Sequence, residues 1–286
     1  MTTSAHEKVG VVGCGLMGAG IAETCARAGQ SVIVVETDAT AVDAGRRRLE
    51  TSLDKAESRG KIDSAAEVLD RIEVVEGIEA LSDRSIVIEA IMEDEGVKTR
   101  LFGDLDRVVA DPAAILASNT SSIPIIKLAT ATKRPEYVMG IHFFNPVPVL
   151  TLVELVPSFL TAGATTERAR TFVQDVLGKH AIDCKDRAGF VVNALLIPFL
   201  LSAIRMVEAD VATAADIDEG FVRGCAHPQG PLALSDLIGL DTVRAIADSL
   251  YDEYKDPHYA CPPLLARMVE AGLLGRKSGR GFFTYS

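Results

Sequence analysis

Six residues near the start of the chain, Gly13-Cys14-Gly15-Leu16-Met17-Gly18, restrict its possible folds more than any other feature. They follow the apolar, β-branched run 9–12 and open a helical pattern that contains Ile21, Ala22 and Ala26. Alone, G-x-G-x-x-G spacing is a weak signal. Between a strand and a helix each glycine acquires a steric purpose: Gly13 for a tight turn, Gly15 for close backbone approach to a pyrophosphate, Gly18 for helix–strand packing. Leu16 and Met17 then lie at a helix N-terminus, where amide groups and the helix dipole favour an anion. A second strand, 31–36, ends in Glu36, about twenty residues on, where a carboxylate takes ribose hydroxyls. These residues predict a Rossmann-like dinucleotide site built from Gly13, Gly15, Leu16, Met17, Gly18 and Glu36. Because Glu36 would repel a 2′-phosphate and Thr37 and Asp38 supply no arginine, the expected cofactor is NAD rather than NADP. Cys14 at a helix N-terminus is open to a lowered thiol pKa, but a small residue filling the loop is the simpler reading.

Six further short β-branched runs, at 72–75, 85–90, 114–118, 137–142, 152–156 and 181–184, alternate for the most part with helical patterns. Such alternation predicts an α/β fold with a doubly wound, mainly parallel sheet. The segment 39–69 is too long and too charged for one crossover helix, so a helical hairpin turning near Gly60 is expected, as an insertion with its own task. Beyond about residue 187 the pattern becomes helical. The expected domains are 1–187, binding the cofactor, and 188–286, an all-helical substrate and dimerisation domain. Phe190 opens an apolar run to about Ala209 that is apolar on more than one face, so it must be covered within the domain or by a second copy, giving a homodimer.

A formal net charge of -11 over 286 residues disfavours a nucleic-acid partner. No apolar run is long enough to cross a bilayer. The first eight residues lack the basic and apolar regions of a secretory signal, and the five cysteines form neither C-x-x-C pairs nor zinc spacings. A cytoplasmic protein without a structural metal is therefore expected.

Two polar segments interrupt the later strands: Ser118-Asn119-Thr120-Ser121-Ser122 after one, and Ile141-His142-Phe143-Phe144-Asn145-Pro146 at the end of another. Both fall at carboxyl ends of strands, where ligands bind in open α/β sheets. Glu154 stands among apolar residues in Leu152-Val153-Glu154-Leu155-Val156, and a buried carboxylate needs a partner such as a histidine. From the residues alone, His142 reads more readily as a structural histidine and Glu154 as a solvent-facing strand position. These three motifs, with Gly189-Phe190-Val191-Val192-Asn193 and the closing Gly275-Arg276-Lys277-Ser278-Gly279-Arg280-Gly281-Phe282-Phe283, resemble those of the 3-hydroxyacyl-CoA dehydrogenases in order and approximate spacing. The similarity runs over essentially the whole chain and is closest to the stand-alone bacterial 3-hydroxybutyryl-CoA dehydrogenases.

The resemblance implies NAD-dependent oxidation of an (S)-3-hydroxyacyl-CoA to the 3-ketoacyl-CoA, and its reverse. It makes His142 the general base, Glu154 the group that orients and stabilises its imidazolium, and Ser121 and Asn193 hydrogen-bond donors to substrate oxygens. It further implies cofactor contacts from Glu93, Lys98, Ser121, Asn145 and Lys277, although Glu93 in Glu93-Asp94-Glu95 also reads as a solvated acidic turn. On the segment 39–69, Arg46, Arg47, Arg48, Lys55, Arg59 and Lys61 gather cations in an acidic chain. Ser52, Lys55 and Arg59 share one helical face by spacing, and with the resemblance this face is expected to hold the phosphates of coenzyme A. The family often carries lysine where Arg59 stands, and a solvated face beside Glu50, Asp54 and Glu57 is the alternative. Two other readings compete: a β-hydroxyacid dehydrogenase acting on a free acid, which usually uses a lysine base, and a lens-protein-like relative that kept the fold without turnover.

Overall fold

A computed structural model describes residues 7–285. The chain divides into two compact units, between Asp186 and Arg187.

The first unit is an eight-stranded sheet: β1 (Lys8–Val12), β2 (Ser31–Glu36), β3 (Ile72–Glu76), β4 (Ile86–Glu89), β5 (Ile115–Ser118), β6 (Val138–Phe143), β7 (Leu152–Pro157) and β8 (His180–Asp183). Their spatial order is β3-β2-β1-β4-β5-β6-β7-β8. The first six strands run parallel, β7 is antiparallel to β6, and β8 is parallel to β7. The order reverses between β1 and β4, and the crevice at such a switch point is where a doubly wound sheet takes its ligand. Strands β4, β5 and β6 are buried along their whole length. Helices cover both faces of such a sheet, so its strands carry apolar runs instead of alternating patterns.

The helices of this unit are α1 (Leu16–Arg27), α2 (Ala39–Ser58), α3 (Ala65–Leu69), α4 (Glu95–Val108), α5 (Ile125–Ala129) and α6 (Gly163–Thr171). The segment 39–69 forms the expected helical hairpin, with arms of unequal length. It is one twenty-residue helix, α2, followed by the five-residue α3 after a reversal at Gly60, whose φ of +63° suits glycine. It also contributes to the core: Val42, Leu49 and Leu53 bury their side chains in the main apolar cluster, each burial contributing about 1.5–3 kcal/mol. The abundant charge of α2 lies on its other face.

The second unit is helical: α7 (Val192–Glu208), α8 (Ala214–Cys225), α9 (Pro231–Ile238), α10 (Leu240–Tyr254) and α11 (Pro263–Glu270). Ile197, Leu200, Leu201 and Ile204 of α7 form its core with Leu232, Val243, Leu250 and Leu265. Phe190 does not open this helix; its φ of +46° is left-handed, and the helix starts two residues later. The apolar run also remains partly uncovered within the chain. Leu195 is 73% exposed, and Val191 and Met206 are exposed with it. At the helical repeat these three positions share one stripe. No helix among the described residues is long and apolar enough to cross a membrane.

Candidate active site

The glycine loop is shaped by contacts that only glycine permits. Gly13 has φ +92°, and a Cβ on Gly18 would lie 1.8 Å from the Gly13 carbonyl oxygen. At Gly15 a Cβ would meet nothing within 4 Å, so the space above the first turn of α1 is open. Gly15 is the N-cap of α1 and has no side chain to satisfy the first amides, which leaves Leu16 and Met17 at an uncapped helix start. The Cys14 N–H donates to Glu36 Oε1 at 2.5 Å, which fixes the carboxylate beside the loop and leaves its second oxygen for another donor. Next to it a cavity of about 400 Å³ is lined by Val12, Val35, Glu36, Ile91, Arg100 and Leu101. Open space, uncapped amides, a carboxylate and an apolar slot together fit a dinucleotide with a free ribose diol. Arg100 escaped the sequence reading because it lies on α4, far from Glu36 along the chain. Cys14 is not a reactive thiol: burial, then the Glu36 charge, push it up to about 11 against the pull of Arg48.

His142 and Glu154 face each other in the antiparallel register of β6 and β7. Their side chains meet, His142 Nδ1 to Glu154 Oε2, at 2.7 Å. Glu154 is fully buried and His142 6% exposed. A carboxylate accepts the Nδ1 proton, so the proton-accepting lone pair of a neutral ring resides on Nε2. The ring also packs against Phe144, with centroids 4.6 Å apart.

The loop 118–122 follows β5 on the same sheet edge. Glu93 is exposed but bonded: its Oε1 accepts from the Thr120 hydroxyl, from Ser121 N at 3.1 Å and from the Ser122 hydroxyl at 3.1 Å. Its Oε2 is paired with Lys98 at 2.7 Å. Lys98 is 1% exposed, and its ammonium also meets Glu89 at 2.9 Å. The Lys98 charge is enclosed between two carboxylates and acts on Glu93. Burial raises the Glu89 carboxyl above the usual range in spite of Lys98. Burial works the same way on Glu93, but there the Lys98 charge and the loop donors prevail and hold it below that range. Asn119 Oδ1 accepts from Phe143 N at 2.8 Å and so ties the loop to the strand of His142. No described protein group bonds the Ser121 hydroxyl. Asn145 follows β6, is exposed, and precedes a cis peptide to Pro146.

Glu89 was missed by sequence reasoning, which named Ser118 and Thr120 only as members of a polar motif. The signal that singled out Glu154, a charge at an apolar strand, is also present at Glu89 in Ile86-Val87-Ile88-Glu89.

Two expected site residues belong to the second unit. Asn193 is buried in the first turn of α7, and Lys277 pairs with Asp241 at 2.5 Å.

The cationic face of α2 is thinner than its composition suggests. Arg46 donates to the Val74 carbonyl and Arg48 to the Cys14 carbonyl. The Ser52 hydroxyl donates to buried Glu23 at 2.5 Å, so it faces inward and not with the exposed cations. Arg59 is the C-cap residue just past the helix end. Lys55, Arg59 and Lys61 remain exposed, close together at this end of α2.

Two family models span the chain: 3-hydroxyacyl-CoA dehydrogenase, NAD binding domain, over residues 8–187, and 3-hydroxyacyl-CoA dehydrogenase, C-terminal domain, over residues 189–285. A 3-hydroxybutyryl-CoA dehydrogenase of Mycobacterium tuberculosis is 57% identical, with 99% of this chain and 100% of that protein aligned. The crystal structure of M. tuberculosis FadB2 superposes with a TM-score of 0.97 at 57% identity, covering 99% of this chain and all of the other. That of the (S)-3-hydroxybutyryl-CoA dehydrogenase of Ralstonia eutropha superposes with a TM-score of 0.92 at 43% identity, again over 99% of this chain and 100% of that one.

Proposed function

The chain belongs to the 3-hydroxyacyl-CoA dehydrogenase family and is an NAD-dependent oxidoreductase, and from that premise we propose that it interconverts (S)-3-hydroxybutyryl-CoA and acetoacetyl-CoA. The observation that carries the reading is the buried His142–Glu154 pair at 2.7 Å. Bound NAD supplies the acceptor for the hydride that leaves C3. His142 Nε2 takes the proton of the 3-hydroxyl as the C3–O bond becomes a carbonyl, and it returns that proton in the reverse direction. Glu154 holds the ring in the tautomer with Nε2 unprotonated and steadies the imidazolium that forms. The Ser121 hydroxyl, presented by the Glu93-clamped loop, donates to the substrate oxygen, and a neutral donor polarises it without removing the proton from His142.

Asn193 is assigned to the substrate, and Asn145, Glu93, Lys98 and Lys277 to the cofactor, by family resemblance. Glu36 takes the adenosine ribose hydroxyls, and the exposed Lys55, Arg59 and Lys61 attract the phosphates of coenzyme A. The exposed Val191, Leu195 and Met206 stripe supports a homodimer formed through α7. Five free cysteines suit the reducing cytoplasm.

A spectrophotometric assay of acetoacetyl-CoA reduction by NADH tests the reading. Turnover lost on His142→Ala is expected. Equal activity on free acetoacetate would favour a free-acid dehydrogenase, and no turnover with either substrate would favour a non-catalytic relative.

A further inference from the structure

Glu89 has no part in the reaction as just described, although it is a fully buried carboxylate one strand away from the substrate loop. Ionised groups are buried only when partners compensate them. Glu89 has three: Lys98 Nζ at 2.9 Å, Ile91 N at 2.8 Å and the Ser118 hydroxyl at 2.6 Å. The last is the first residue of the loop 118–122. Through its backbone carbonyl Glu89 also accepts from Asn119 N at 2.8 Å. Ser118 Oγ in turn accepts from Thr120 N at 3.1 Å, so the hydroxyl that Glu89 orients also turns the loop. By the other route Lys98 carries the Glu89 charge to Glu93, which clamps Thr120, Ser121 and Ser122. Both ends of the loop are thus bound to groups that meet at one buried carboxylate.

We propose that Glu89 is a positioning residue, which sets the loop 118–122 from the end of β4 and thereby places the Ser121 hydroxyl against the substrate. The inference rests on the role given to Ser121 above. The shape of the network explains why a charge is needed there. A single ammonium serves two carboxylates from a position closed to water, and its location between them requires attraction from both sides. With glutamine at 89 the Ser118 bond survives, but the pull on Lys98 is lost, so Lys98 moves toward Glu93 and the clamp shifts. Reacting groups tolerate little displacement; about 1 Å of misplacement can cost on the order of 10²-fold.

The test is a double-mutant cycle between Glu89→Gln and Ser121→Ala, read in kcat for acetoacetyl-CoA reduction, with NADH Kd measured by calorimetry on each protein. Glu89→Gln is expected to lower kcat at saturating NADH by about tenfold or more, beyond any change in NADH Kd that the shifted Glu93 causes, and in the Ser121→Ala background its further cost in kcat should fall below about threefold. Should Glu89→Gln fail to fold, Ser118→Ala carries the same cycle, since it severs one route to the loop and leaves every buried charge in place. Multiplicative losses in kcat, or an unchanged kcat in Glu89→Gln at saturating NADH, would each overturn the inference while leaving the role of Ser121 intact. A silent Ser121→Ala would overturn both.

Discussion

Glu154→Gln, His142→Ala and their combination should show that the two residues work as one unit. The His142–Glu154 contact measures 2.7 Å between two buried groups, and a hydrogen bond with a charged partner is worth about 1.5–3 kcal/mol. Glutamine preserves the shape and an acceptor oxygen but removes the charge that steadies the imidazolium. Since each 1.4 kcal/mol is about tenfold in rate, Glu154→Gln should lower kcat by about 10- to 150-fold. His142→Ala removes the acid–base group itself, at a cost of about 10²–10⁴-fold. Once the ring is gone, the carboxylate has no imidazolium to stabilise, so the double variant should fall within about threefold of His142→Ala. Initial rates of NADH oxidation at saturating acetoacetyl-CoA measure all four proteins, with circular dichroism confirming the fold. If the two losses multiply, Glu154 acts elsewhere and the dyad is refuted.

Glu36→Ala should narrow the preference for NADH over NADPH, read as the ratio of kcat/KM, while raising the NADH KM; with Arg100 lining the same cavity, the NADPH gained should weaken as salt rises. Arg59→Ala should raise the KM for acetoacetyl-CoA but not for a pantetheine analogue without nucleotide phosphates, whereas Ser52→Ala should instead lower unfolding stability by about 1–3 kcal/mol, because its partner Glu23 is buried. Denaturant titrations should show stability falling as pH rises above 9.0, since Cys14 and Cys25 are pushed up to about 11 and about 12 in the folded chain while unfolded thiols ionise first. Light scattering at micromolar concentration should report a dimer for the wild type and a shift toward monomer for Leu195→Glu; a wild-type monomer would refute the α7 interface.

The sequence by itself determined the elements that depend on neighbours along the chain. A glycine spacing between a strand and a helix specifies a turn because the steric conflict, Gly18 Cβ against the Gly13 carbonyl, involves residues five apart. The eight β-branched runs likewise specify the strands of a buried sheet, to within a residue or two at each end. The charge of α2 was legible only in number for the same local reason: composition shows how many cations a helix carries, not that Arg46 and Arg48 turn to backbone carbonyls or that Ser52 turns to Glu23.

Tertiary structure decided which polar groups meet. His142 and Glu154 are twelve residues apart, and only the antiparallel register of β6 with β7 brings them opposite each other. Slipping that register by one residue would put their side chains on opposite faces. Glu89, Glu93 and Lys98 lie within one ten-residue stretch, but the loop 118–122 reaches them only through the fold, and no spacing in the chain announces their network. Their meeting follows from the order β4-β5-β6 and from a buried ammonium that needs anions wherever the fold supplies them. Local sterics act through the covalent chain and can be read from it, whereas pairing among buried charges depends on packing that the whole fold creates at once.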